Sequence, residues 1–123
     1  MKKTVLLVDD NPIQLRSLKG VLATSYDVQM ATSGLKAVEM IRKSLPDAIF
    51  LDYDMPECDG RKTLQIIRGI EGAENIPVVF LTGVSSVEHI KAVLSLNPAG
   101  YLLKPASADT LYETLDKIFG NNA

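Results

Sequence analysis

Apolar residues along the chain gather into short runs, and amphipathic segments fill the intervals between them. The runs are TVLLV at 4–8, DVQMA at 27–31, AIFL at 48–51, VVFL at 78–81 and YLLK at 101–104. Runs of this length, rich in β-branched and aromatic residues, predict five strands. The first, third and fourth are continuous, as strands covered on both faces should be, whereas polar Gln29 separates Val28 from Met30, as expected nearer an edge. Between the runs the apolar period becomes helical: Leu15, Leu18 and Leu22; Val38, Ile41 and Leu45; Leu64 and Ile67; Val87, Ile90 and Val93; Leu111, Leu115 and Ile118. Asn11 before Pro12 reads as an N-cap and a first helical residue, and Ser33, Ser85 and Ser107 read as further caps. Pro46, Pro77 and Pro98 fall where helices should already have ended.

Strict alternation of strand and helix predicts an α/β fold: a parallel sheet, right-handed crossovers and helices on both faces. The 123 residues suffice for one buried core, so a single domain over 1–123 is expected, with GNNA at 120–123 a polar tail. In open sheets of this kind the functional crevice lies at the carboxyl ends of the strands, where strand order reverses.

Composition narrows the function classes. A formal net charge of -2 provides no basic footprint, and Lys2 with Lys3 is too small a cluster for a DNA-binding arm, so direct nucleic-acid binding is not expected. No apolar stretch has the length of a membrane span, and Asp9 and Asp10 cut short the segment after the charged start, which excludes a signal peptide. A single cysteine, Cys58, forms neither a disulfide framework nor a thiolate metal cluster, as expected of a cytoplasmic protein; Cys58 itself reads as an incidental loop residue.

The chemistry concentrates at strand ends. The first run ends in Asp9 and Asp10, the third in Asp52, the fourth in Thr82 and the fifth in Lys104. Carboxylates brought to one sheet edge repel and raise one another's pKa until a cation settles them, and an all-oxygen ligand set favours Mg²⁺. Lys104 and Thr82 add a positive point charge and a hydroxyl donor, which a phosphoryl group needs. A carboxylate can attack phosphorus once such groups neutralise the transferring oxygens, and Asp52, on the central run, is best placed to do so. His89 has no partner at metal-ligand spacing and reads as surface or core filler.

The stretches VLLVDDNP, IFLDYDMPECDG, VVFLTG and GYLLKP occur in an order and spacing that resemble the receiver domains of two-component response regulators, single-domain chemotaxis regulators included. The resemblance spans essentially the whole chain. It implies a flavodoxin-like (βα)5 three-layer sandwich with a central five-stranded parallel sheet of order 2-1-3-4-5. Asp52 is then the phosphoacceptor, with Asp10 and the Asp52 side chain as direct Mg²⁺ ligands, Asp9 acting through water and the backbone carbonyl of Asp54 completing the set. Lys104 contacts the phosphoryl oxygens, and its bond to Pro105 is often cis in this family. Thr82 and Tyr101 are the implied switch pair, and Asp54 and Val84 flank the path of attacking water. Met55-Pro56 and Asp59-Gly60 turn the chain away from the site, with Gly60 supplying the φ that the turn needs.

By the same resemblance the chain is a phosphorylation-activated switch rather than an enzyme, catalysing only its own phosphorylation and dephosphorylation. Its phosphodonor is a sensor histidine kinase or phosphotransfer protein, and its output surface is the fourth helix, fifth strand and fifth helix; relatives with DNA-binding outputs commonly dimerise through the fourth and fifth helices, and such a dimer stays open here. No effector domain is expected within this chain, which reads as either a stand-alone regulator or a receiver cut from a longer protein. Three rival readings fit the residues less well. FLDYDMP also resembles the first motif of haloacid-dehalogenase-type phosphatases, although Pro56 stands where that motif has Thr or Val. A flavodoxin-like flavin binder needs a Ser/Thr/Gly-rich phosphate loop where this chain has DDNP. A pseudo-receiver interaction module typically loses the acceptor aspartate or the lysine, and both are present.

Overall fold

A computed structural model describes residues 2–55, 59–83 and 86–120. The elements alternate as β1 (Thr4–Val8), α1 (Pro12–Leu22), β2 (Asp27–Ala31), α2 (Gly34–Lys43), β3 (Ala48–Asp52), α3 (Gly60–Arg68), β4 (Val78–Thr82), α4 (Val87–Leu94), β5 (Gly100–Leu103) and α5 (Ala108–Phe119). All strand pairs are parallel, in the order β2-β1-β3-β4-β5. This is the expected flavodoxin-like arrangement. Strand order reverses between β1 and β3, and the register Val8↔Leu51, Asp52↔Leu81 and Thr82↔Leu103 brings four strand ends to one edge.

Side-chain alternation along each strand builds two cores. Val5, Leu7, Phe50, Val79 and Leu81 pack with Leu15 and Leu22 of α1 and Leu111 and Leu115 of α5. Leu6, Val8, Ile49, Leu51, Val78 and Phe80 face the other way, onto α2, α3 and Val93 of α4. Burying β3 and β4 on both faces explains their uninterrupted apolar runs, while Val28 and Met30 of edge strand β2 are only half-buried. Each fully buried Leu, Ile or Phe stabilises the fold by roughly 1.5–3 kcal/mol.

Helix starts follow the caps: Asn11 accepts N–H bonds from Ile13 and Gln14 ahead of Pro12, Ser33 accepts from Lys36, and Ser107 accepts from Thr110. Two expectations fail at the helix ends. Ser85 lies outside the described residues, and Ser86 caps α4 by accepting the His89 N–H. Leu45 does not belong to the α2 stripe: the helix stops at Lys43, Ser44 is extended, and Leu45 is 47% exposed. Its position before Pro46 disfavours helical backbone. Val87 is likewise 66% exposed and Val93 is the only buried residue of α4, so that helix is held to the sheet more lightly than its periodicity implied.

Gly60 corrects a reading of a different kind. It opens α3 as an ordinary helical residue, so the turn demands no unusual φ there. The requirement is space: a Cβ on Gly60 would lie 2.7 Å from Tyr53 Cα, 3.0 Å from the Asp52 carbonyl oxygen and 3.0 Å from the Phe80 ring. Its N–H donates to the Tyr53 carbonyl at 2.9 Å, stapling the start of α3 to the end of β3. Among the described residues no helix is long and apolar enough to cross a membrane.

Gly60→Ala should therefore lower stability despite alanine's higher helix propensity. Overpacking against backbone should cost about 1–3 kcal/mol, against a propensity gain of about 1 kcal/mol. Urea titration measures the difference, and an unchanged or raised midpoint would contradict the close approach.

Candidate functional site

Asp9 extends β1 by one residue. Its N–H bonds the Ala31 carbonyl at 3.1 Å, and its side chain, 2% exposed, accepts the Asn11 N–H at 2.9 Å through Oδ1. Asp52 is the last residue of β3 and is 2% exposed; its Oδ1 accepts the Asp54 N–H at 3.2 Å. Lys104 follows β5, held by its own N–H to the Thr82 carbonyl at 2.9 Å and joined to Pro105 by a cis peptide bond, as expected. Its Nζ lies 3.1 Å from Asp9 Oδ2 and 3.2 Å from Asp52 Oδ1, and it donates at 3.3 Å to Gln14 Oε1 of α1. One ammonium thus bridges two buried carboxylates from different strands.

Asp10 is exposed beside them, and one oxygen each from Asp9, Asp10 and Asp52 lies within 4.8 Å of the others. The donor set is entirely oxygen. Three carboxylates against one ammonium leave the cluster short of positive charge by about the charge of one divalent cation, and hard oxygen ligands of this kind suit Mg²⁺.

Burial pushes the Asp52 carboxyl up to about 6; Lys104 opposes the shift by attraction and Asp9 adds repulsion to it. The crowding expected of three carboxylates thus reaches Asp52 from Asp9. For Lys104, burial works to remove the proton, but the attraction of Asp52 and the bond to Asp9 outweigh it, and the ammonium holds its proton above the usual lysine range.

Thr82, fully buried at the end of β4, does not join the lysine bridge. Its hydroxyl donates to Asp54 Oδ2 at 3.3 Å and lies 2.9 Å from His89 Nε2 on α4. His89 is half-buried and meets the Tyr53 ring edge-on with centroids 4.9 Å apart; Tyr53 in turn meets Phe80 edge-on at 5.3 Å. Tyr101 is paired across the sheet with Phe80 and half-buried against the same core. Pro56, Cys58 and Val84 lie outside the described residues.

His89 and Gln14 are the residues that sequence reasoning missed. The signal for His89 was nevertheless there: side chains of a first helical turn lean back toward the helix N-terminus, and α4 begins five residues after Thr82.

Comparison with known proteins bears directly on this arrangement. The sequence model of the response regulator receiver domain matches residues 5–116. The chain belongs to this receiver family. The chemotaxis protein CheY-3 of Vibrio cholerae is 35% identical over 117 residues, covering 94% of this chain and 90% of that protein. The transcriptional regulatory protein ZraR of Escherichia coli is 37% identical over 114 residues, but this receiver spans only 25% of its length. Among solved structures, the receiver domain of sensor histidine kinase PA1611 from Pseudomonas aeruginosa superposes with a TM-score of 0.89 at 27% identity, covering 98% of this chain and 99% of that one. That structure has a magnesium ion coordinated in its active-site cleft. Receiver domains are two-component signalling switches, which sets aside the phosphatase and flavin-binder readings.

The raised Asp52 pKa makes a prediction with a definite sign. Between the usual carboxyl value of 3.8 and about 6, the folded chain binds more protons at Asp52 than the unfolded chain does. Its contribution therefore favours folding at low pH and turns against it as pH rises through about 6. In chelator, Asp52→Asn should match wild type near pH 4 and exceed it by about 1–3 kcal/mol at pH 7. Denaturant titrations at the two pH values measure this, and a constant difference would contradict it.

Proposed function

We propose that Asp52 accepts a phosphoryl group from a phosphohistidine on a sensor kinase or phosphotransfer protein, and that this receiver thereby switches its output surface. The Lys104 bridge to Asp9 and Asp52 carries the reading, because it sets a fixed cation at the carboxylate from which a phosphoryl group would project. An Asp52 oxygen attacks phosphorus; the O–P bond forms as the N–P bond breaks, and the released electron pair stays on the donor imidazole, which takes a proton from solvent. Lys104 then pairs with a phosphoryl oxygen. Asp10, the Asp52 side chain and the Asp54 backbone carbonyl would hold Mg²⁺, with Asp9 acting through water. Bound there, Mg²⁺ neutralises phosphoryl oxygens as charge shifts during transfer. Catalysis by this chain extends to its own phosphorylation and, with water as nucleophile, its own dephosphorylation.

A cleft of about 140 Å³ opens beside Lys104, with Gln14, Ser17 and Leu18 of α1 on one wall and Pro105 and Ala106 on the other. Together with Ile13, 76% exposed on the same helix, it supports docking of the phosphodonor against α1. On the output side, Thr82 turns toward the acyl phosphate and the Tyr101 ring moves inward to the space it leaves, a population shift between two arrangements. Val87, Leu94 and Leu103 expose 66%, 48% and 44% of their surface there, which supports α4, β5 and α5 as the face that meets a downstream target or a second copy.

Incubation with acetyl phosphate should add one phosphoryl group by intact mass, dependent on Mg²⁺ and abolished in Asp52→Ala. Absence of any adduct would favour a pseudo-receiver, and an adduct surviving in Asp52→Ala would refute the acceptor assignment. At a hundredfold excess over its Kd, Mg²⁺ should stabilise wild type by about 2.7 kcal/mol. In Asp10→Ala that increment should disappear, as read by thermal melts with Mg²⁺ and with chelator.

A further inference from the structure

We infer that His89 is a positioning residue that latches the Thr82 hydroxyl on the α4 side of the sheet and so sets how readily this receiver switches. The inference rests on the reading of Asp52 as acceptor and Thr82 as its responding hydroxyl.

Strand alternation separates the groups concerned. Asp9 and Asp52 continue the parity of Leu7 and Phe50, which face α1 and α5, and Lys104 continues that of Leu102. Thr82 continues the parity of Phe80, which faces α2, α3 and α4. The Thr82 hydroxyl accordingly meets His89 Nε2 at 2.9 Å, while the Lys104 bridge forms on the opposite parity.

The direction of the bond follows from proton counting. A hydroxyl has one proton to donate, and Thr82 gives it to Asp54 Oδ2. Holding both contacts therefore requires His89 to donate, so the imidazole carries a proton on Nε2. A chain runs from imidazole N–H to hydroxyl to carboxylate. Tyr53 fixes the ring plane by its edge contact, and the Ser86 cap on the His89 N–H fixes the backbone behind it.

For Thr82 to reach a phosphoryl group on Asp52, this bond has to break. His89 stands in the first turn of α4, a helix whose only buried residue is Val93. Release of the latch therefore removes a polar tie between that helix and the end of β4. His89 couples the hydroxyl at the acceptor to the helix on the output face. Because a net hydrogen bond biases a two-state equilibrium by about fivefold, deleting it should move the switch by that factor.

The test measures the acetyl phosphate concentration that half-saturates phosphorylation in Mg²⁺, for wild type, His89→Ala, His89→Gln, Thr82→Val and the double variant His89→Ala/Thr82→Val. His89→Ala should lower it about fivefold. His89→Gln, whose amide N–H reaches a comparable position, should stay within about twofold of wild type. In the Thr82→Val background, removing His89 should change nothing, a result that loss of packing alone would not give. Imidazole ¹⁵N spectra of the unphosphorylated protein provide a readout independent of folding yield, with an Nε2–H tautomer expected in wild type and its protection from exchange lost in Thr82→Val. An unchanged or raised half-saturation in His89→Ala overturns the latch, as does an equal effect with and without the threonine hydroxyl. If wild type takes up no phosphoryl group at Asp52, the acceptor reading and the latch fall together; normal Mg²⁺-dependent labelling with a flat mutant series removes the latch alone.

Discussion

Asp9 and Asp52 are buried at the ends of adjacent central strands, and the ammonium of Lys104 reaches from the far side of β4 to touch both. An unpaired buried carboxylate costs several kcal/mol, and two in contact cost more. The lysine offsets that cost only in part, since Asp52 still holds its proton well above the ordinary carboxyl range. The site is thus poised: folded, tensioned and short of positive charge. A divalent cation and a phosphoryl group both relieve the same imbalance, one by adding positive charge and the other by occupying the lysine.

The sheet that creates this tension also divides it. Groups for chemistry sit with the α1 and α5 parity, whereas Thr82, Tyr53 and Tyr101 sit with the core under α2, α3 and α4. Events at the acceptor are therefore reported through the thickness of a single strand. β4 is the element that carries them, because it is buried on both faces and its last residue contacts Asp54 and His89 together. A rigid strand and a lightly seated helix are suited to those two duties.

Much of this was legible from residue order. Five apolar runs marked five strands to within a residue or so, and the alternation required parallel pairing; acidic, hydroxyl and basic residues at strand ends marked the crevice. What stayed hidden depended on neighbours that periodicity does not name. Val87 fits the α4 stripe, yet no layer covers it, and Leu45 fits the α2 stripe, yet Ser44 and Pro46 had already ended the helix. His89 looked like filler because its partner is a hydroxyl on a strand end, not a residue at helical spacing. Gly60 was recognised as necessary for the wrong reason, since a clash with Tyr53 Cα belongs to tertiary packing and leaves no trace in local sequence.

That close approach at Gly60 also bears on how such a domain can diversify. The bond from its N–H to the Tyr53 carbonyl ties the start of α3 to the end of β3 at one fixed point. Around that tie Asp54 bonds both Asp52 and Thr82, Met55 is buried in the core and Asp59 caps the first turn of α3, so the backbone beside the acceptor is pinned from several sides. Variation is thereby pushed away from this side of the crevice, and the acceptor keeps its address.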